Sequence, residues 1–188
     1  MAYRHYETRG LILNARASGE ANRLYAILTP DFGLVRVLAQ GVRREKSKLR
    51  YQLQNFSAEV TLIKGREYWR LVGVRATGAP ANPRQISFCR RVSSVLLRLI
   101  HGEEASPLIF NDVDLAWRHL AVTATASAPA EIFALVRILS RLGYLAPATV
   151  TAEILAAEEL TLDLIATIAG RRRALIGEIN ASLSASGL

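Results

Sequence analysis

Along the first 80 residues apolar and polar positions alternate with a period of two, and beyond residue 83 the period lengthens to about 3.6. The first pattern belongs to half-buried strands and the second to amphipathic helices. Five runs rich in β-branched and aromatic residues predict strands at Glu7–Ala15, Arg23–Thr29, Leu34–Gln40, Ala58–Lys64 and Glu67–Ala76. Turn residues separate them at Ala17-Ser18-Gly19, Pro30-Asp31-Phe32-Gly33 and Lys64-Gly65-Arg66, where Gly65 is expected to supply the positive φ of a tight hairpin. Five short antiparallel strands that close on themselves make a small OB-type barrel, a fold that often holds single-stranded nucleic acid on one face.

The segment Thr77-Gly78-Ala79-Pro80-Ala81-Asn82-Pro83 reads as a linker. It divides an OB-type barrel over 1–78 from a helical domain over 84–188, so the predicted class is α+β. Phe88, Val92, Val95, Leu96 and Leu99 form one apolar stripe, which His101-Gly102 ends. Ser106-Pro107 starts a second helix that continues to Ala121. Pro129 and Glu131 open a third, with its stripe at Ile132, Leu135, Val136, Leu139 and Leu142 and its stop at Gly143 and Pro147. Further helical segments fit Glu158–Ala169 and Arg171–Leu183, completing a bundle beside or onto the barrel.

Charge changes this picture. Residues 1–80 carry 14 Lys/Arg against 6 Asp/Glu, whereas residues 81–188 carry 10 of each, so the net charge of +8 resides in the predicted barrel. Such asymmetry is the footprint of a polyanion-binding module joined to a neutral one. Between Arg36 and Arg50 stand Arg36, Arg43, Arg44, Lys46, Lys48 and Arg50, opposed only by Glu45. Most of this run falls in the connection between the third and fourth strands, where it can reach a binding face; a purely solvating role is the alternative. Tyr25, Tyr51, Phe56, Tyr68 and Trp69 are candidate stacking platforms or core residues, and Tyr68 and Trp69 must face opposite sides of one strand. In the helical half, Arg137 and Arg141 share a helix face and repel slightly. Arg171-Arg172-Arg173 either opens a helix after Gly170, against its dipole, or forms a solvated turn in a helix continuous from Leu160.

Other chemistry is excluded by what the chain lacks. It has no G-x-x-x-x-G-K-[ST] phosphate loop. His5, His101 and His119 are scattered without metal-ligand spacing, and Asp112 and Asp114, two apart, diverge on a helix. Cys89 stands alone, which rules out an internal disulfide and a cysteine zinc site and suits a small core residue. No apolar run approaches the roughly 20 residues of a membrane span, and MAYRHYETRG is not a signal peptide, so a non-catalytic cytoplasmic binding protein is expected, with no membrane contact.

The order Gly19-Glu20-Ala21-Asn22-Arg23-Leu24, Thr29-Pro30-Asp31-Phe32-Gly33-Leu34-Val35, Ala39-Gln40-Gly41-Val42-Arg43-Arg44, Ser47-Lys48-Leu49 and Leu53-Gln54-Asn55-Phe56 resembles the N-terminal domain of the RecO family of DNA repair proteins. Asn55 stands where that family usually has proline. Phe133 to Leu139, leading to Leu142-Gly143-Tyr144, resembles its helix ending in Leu-Gly-Tyr. The resemblance implies a recombination mediator that binds single- and double-stranded DNA, anneals complementary strands and, with RecR and the single-stranded-DNA-binding protein, helps load RecA. On that reading the charge of Arg36, Arg43, Arg44, Lys46, Lys48 and Arg50 assigns them to DNA phosphates, and charge and helical placement alone make Arg137, Arg141, Arg171, Arg172 and Arg173 candidates for the acidic tail of the single-stranded-DNA-binding protein. Many members carry a four-cysteine zinc module after the Leu-Gly-Tyr helix; this chain lacks the cysteines and the length, so no zinc or other cofactor is expected. An OB-fold RNA-binding factor and a protein-interaction scaffold are the readings that the basic loop alone also allows.

Overall fold

The computed structural model describes residues 4–53, 56–77, 79–124 and 126–185. Gln54 and Asn55 of the strand-entry motif and Gly78 of the linker lie outside them. The chain divides into two compact units, Met1–Ala81 with Ser93–Phe110, and Asn82–Val92 with Asn111–Leu188.

The first unit is built on β1 (His5–Ser18), β2 (Asn22–Thr29), β3 (Gly33–Ala39), a short helix α1 (Lys48–Gln52), β4 (Ser57–Ile63) and β5 (Trp69–Ala76). They close into a five-stranded barrel in the order β1-β2-β3-β5-β4, the OB arrangement, and closure leaves no sheet edge open to pairing. β1 serves two neighbours. Its first half pairs with β4 from His5↔Ile63 to Leu11↔Ser57, and its second half pairs with β2 from Leu11↔Leu28 to Ser18↔Asn22. The seam is a short parallel pairing of β3 with β5 through Val37↔Trp69 and Leu38↔Arg70. The period-two pattern is realised directly: Tyr25, Ile27, Val35, Val37, Ala39, Ala58, Val60, Leu62, Trp69 and Leu71 point into the barrel and are buried.

Two glycines are fixed by close approach. Gly33 has φ +65°, and a Cβ there would lie 2.0 Å from the carbonyl oxygen of Glu104, so only a hydrogen fits between this turn and the segment laid across it. Gly65 corrects the sequence reading. It is absent from the positive-φ glycines, and its constraint is instead the Tyr68 carbonyl, 2.2 Å from where a Cβ would sit.

After the barrel come α2 (Pro83–Leu99), α3 (Pro107–Val122), α4 (Ser127–Arg141), α5 (Ala152–Ala156), α6 (Leu162–Gly170) and α7 (Arg172–Ala185). Asn82 and Gln85 cap α2 reciprocally: Asn82 Oδ1 accepts the Gln85 N–H at 2.9 Å, and Gln85 Oε1 accepts the Asn82 N–H at 3.1 Å. The segment read as linker thus ends in a helix start with proline at its first position. α4 differs from its expected single stripe. Residues 129–134 and 136–139 are all buried, because α4 packs against α5, α6 and α7 at once. α5 was not foreseen, and α6 starts at Leu162 rather than Glu158 because the Thr161 hydroxyl accepts the Leu164 N–H at 3.2 Å. The chain then breaks at Arg171, so Arg172 and Arg173 stand in the first turn of α7.

Such a central helix brings charge indoors. Arg137, 8% exposed, pairs through Nε with Asp112 Oδ1 at 2.7 Å and donates to the carbonyls of Ile154, at 3.1 Å, and Ala157, so one guanidinium ties α4 to α3 and α5. Arg141 reaches the other Asp112 oxygen at 3.4 Å, which offsets the repulsion expected between the two arginines. Half-buried Cys89 is held as a thiol, its pKa pushed up by burial. No helix among the described residues is long and apolar enough to cross a membrane.

Two stability outcomes follow from these contacts. Gly33→Ala lowers the urea midpoint of the barrel, with a loss of ~2 kcal/mol or more from left-handed strain and the Glu104 clash together. Asp112→Ala, which strands a buried guanidinium, costs about 3–5 kcal/mol in the same assay; a change within error of zero would show that Arg137 is satisfied without it.

Candidate nucleic-acid interface

The connection between β3 and β4 is held down by its apolar residues. Val42 and Leu53 are buried in the barrel core and Leu49 packs against it, plugging one end of the barrel. Polar ties fix the rest to the β1–β2 turn: the Gly41 N–H donates to Asn22 Oδ1 at 2.9 Å, the Arg43 N–H to the Ala21 carbonyl at 2.9 Å, and Arg43 Nη1 to the Gly19 carbonyl at 2.9 Å. With the apolar side chains spent inward, Arg43, Arg44, Lys46, Lys48 and Arg50 are all exposed. The basic run is therefore a presented surface on a short turn and helix.

Arg36 is the sixth of these residues and lies elsewhere. It is exposed on the outer wall of β3, opposite Ala26 of β2, which in turn faces Asn14 of β1. On the adjoining rung Arg16 faces Leu24, Leu24 faces Leu38, and Leu38 faces Arg70. Sequence reading missed Arg16, Arg23 and Arg70, which are isolated along the chain. For Arg70 the signal is parity, since like Arg36 it stands between two core residues of its strand.

Three depressions cross this wall and share residues. One, of about 270 Å³, is lined by Arg23, Tyr25, Val42, Arg43 and Arg50. The next, about 230 Å³, shares Tyr25 and adds Asn14, Arg16, Leu24, Ala26 and Arg36. A third, about 350 Å³, shares Ala26 and Arg36 and continues to Glu67 and to Leu97–Glu103. They follow one another along β2, the first two meeting at Tyr25 and the last two at Ala26 and Arg36, with arginines lining each. The wall of this track suits phosphate because guanidinium groups pair with phosphate oxygens in a planar, two-bond fork.

The aromatic residues divide by burial. Tyr25, Phe56 and Trp69 are 3%, 5% and 3% exposed and serve the core, whereas Tyr51 on α1 is 67% exposed. Tyr68 is half-buried in the bend just before β5 begins at Trp69, so the two residues do not share one strand as expected. Its phenol hydrogen-bonds to Glu67, which raises its pKa, while nearby Arg16 and Arg36 pull the other way. Tyr68 thus marks the same spot as the two arginines.

The helical arginines separate differently. Arg137 is interior, ion-paired with Asp112 and donating to the carbonyls of Ile154 and Ala157. Arg141 is part-exposed beside Asp112, Arg171 pairs with Glu153 at 3.4 Å, and Arg172 and Arg173 are exposed. Among the described residues no group of three or more His, Cys, Asp or Glu is placed to hold a metal ion.

A family model described as recombination protein O N terminal matches residues 1–75, the whole of the barrel up to the last residue of β5. Over its barrel, the chain is similar to the N-terminal domain of RecO proteins. Among curated relatives, the DNA repair protein RecO of Trichodesmium erythraeum is 48% identical over 67 residues, covering 35% of this chain and 23% of that protein. The RecO of Dehalococcoides mccartyi is 34% identical over 110 residues, covering 56% and 44% respectively, so likeness to that protein runs beyond the barrel. The RecO of Gloeothece citriformis is 37% identical over 68 residues, covering 36% and 24%. The matched stretches span less than half the length of each of these relatives.

In this barrel the phenol of Tyr68 reports on the track. Glu67→Gln removes the carboxylate that holds the proton on, so the Tyr68 pKa falls toward the ordinary phenol value, followed as the pH titration of its ring-carbon NMR resonance. An unchanged titration would show that the Glu67 contact does not exist in solution.

Proposed function

We propose that the chain is a non-catalytic DNA-binding recombination mediator that holds single-stranded DNA along the arginine track of its barrel. The observation that carries this reading is the junction of three depressions over β2, with Arg16, Arg23, Arg36, Arg43 and Arg50 along them. Phosphate contacts by such groups release condensed counterions and bind any sequence. Arg44, Lys46 and Lys48 extend the field from the adjoining turn and helix, and exposed Tyr51 offers a face for a base to stack on. Double-stranded DNA is held by the same charges with less help from stacking.

The relatives are DNA repair proteins by name, and their family supports a role in repair and recombination for this chain. Annealing follows from the electrostatics: a surface that neutralises two strands together lowers their mutual repulsion and lets complementary bases meet. Acting with RecR, the chain would then help RecA onto DNA coated by single-stranded-DNA-binding protein, in the cytoplasm. Arg172 and Arg173, with Arg141 and Arg171 in support, are the groups left to meet that protein's acidic tail once Arg137 is set aside.

Fluorescence anisotropy of a labelled oligo(dT) across a salt series tests the DNA site. With six or more phosphate contacts, log affinity falls against log salt with a slope of about 4 or steeper, and replacing Arg36, Arg43, Arg44, Lys46, Lys48 and Arg50 together by Ala abolishes tight binding. A slope near one, or no binding at low salt, would overturn the assignment and favour a protein-interaction role; stronger binding to structured RNA would favour an RNA-binding factor.

A further inference from the structure

The third depression differs in kind from the other two. Its lining joins the apolar Leu34, Leu97 and Ile100 to Arg36, His101 and the carboxylates of Glu67 and Glu103. At about 350 Å³ it falls within the range of small-ligand pockets, roughly 300–1,000 Å³. It is also firmly walled, because Gly33 lets the Glu104 backbone lie directly against the β2–β3 turn.

We infer that this pocket accepts one unstacked nucleobase of the strand on the track, and that it favours guanine. The inference rests on the single-strand reading proposed above. The two carboxylates among its lining residues repel a phosphate, so the strand's backbone stays outside at Arg36 and a base is the part that turns in. Leu34, Leu97 and Ile100 give the apolar surface that a base needs when it leaves its stack. The two carboxylates have unequal capacity. Glu103 is occupied, with Oε1 accepting the Trp69 indole N–H at 2.8 Å and Oε2 paired with Lys64 at 3.4 Å. Glu67 is engaged by the single hydroxyl of Tyr68, and a carboxylate has about four acceptor positions, so it retains room for more donors. Guanine alone offers two adjacent donors on its pairing edge, N1–H and the exocyclic amine, which match the two oxygens of one carboxylate. Thymine offers one donor flanked by two carbonyls that a carboxylate repels.

The test is competition anisotropy with a dT 12-mer against the same 12-mer carrying one central dG, on the full chain and on Glu67→Gln. The expected result is a preference for the dG oligonucleotide of roughly fivefold or more in the unaltered protein, with the ratio falling to near one in the variant. The ratio is the readout, so a general change in affinity from the lost charge does not affect it. A ratio near one in the unaltered protein, with salt-dependent binding of both oligonucleotides, would overturn the base pocket and leave the phosphate track standing. A preference that persists in Glu67→Gln would overturn the role of that carboxylate. No binding of either oligonucleotide would overturn the pocket and the single-strand reading together.

Discussion

The barrel depends on Trp69. β3 and β5 meet at only two register positions, one of them Val37↔Trp69, so the closing seam has few backbone hydrogen bonds to hold it. The indole supplies what the ladder lacks. It packs edge-on to Tyr6 of β1 with centroids 5.5 Å apart and lies 5.0 Å from Phe32 of the β2–β3 turn, while Tyr6 and Phe32 contact each other at 5.3 Å. Large aromatic side chains contribute most to small cores, and such ring pairs add about 0.5–1.5 kcal/mol each beyond the area they bury. The indole N–H leaves the core to meet Glu103, whose other oxygen meets Lys64, and Lys64 lies over the same ring at 5.4 Å. One residue thus joins the seam, the first strand, a turn and the segment that crosses it. The arginine track runs over the strands this residue keeps in register.

Given a closed barrel, presentation of charge follows from how the apolar residues are spent. A basic run is ordinarily a solvated surface with no fixed direction. Here Val42, Leu49 and Leu53 alternate with the basic residues and are committed to the core, so the cations between them have only the outside to occupy. The backbone is pinned as well, through Asn22 and the carbonyls of Gly19 and Ala21. Holding the side chains' roots in place reduces the entropy lost when they meet a ligand, which is how a short charged segment becomes a binding surface.

The five strands were legible because period-two alternation and burial are the same fact seen from two ends, and each fell within a few residues of its expected bounds. The proximity of Arg43, Arg44, Lys46, Lys48 and Arg50 was legible from their adjacency in the chain, whereas Arg36 stands apart from them on β3. Arg16, Arg23 and Arg70 were not legible, because their proximity to Arg36 depends on register, and register is set by the whole barrel. α4 shows the limit of reading a stripe. Its apolar positions fitted one face, yet the small residues Ala130 and Ala134 and the paired Glu131 and Arg137 fill the others, so a central helix looked amphipathic. The start of α2 was written plainly as Asn82-Pro83-Arg84-Gln85, but proline and glycine just before it suggested a linker.

The two groups of arginines show that charge in a sequence carries no direction of its own. Arg137 and Arg36 sit in comparable alternating surroundings, and nothing local separates them. What separates them is whether a carboxylate waits at the place the fold sends the side chain. Arg137 is sent inward and meets Asp112 and two carbonyls of the α5 turn, a set that offsets much of the cost of its burial. Arg36 is sent outward on a wall where its cross-strand neighbour is Ala26, too small to cover it. A small residue beside an outward arginine therefore shapes the wall around it: Ala26 lines both depressions that share Arg36 and leaves the guanidinium uncovered there.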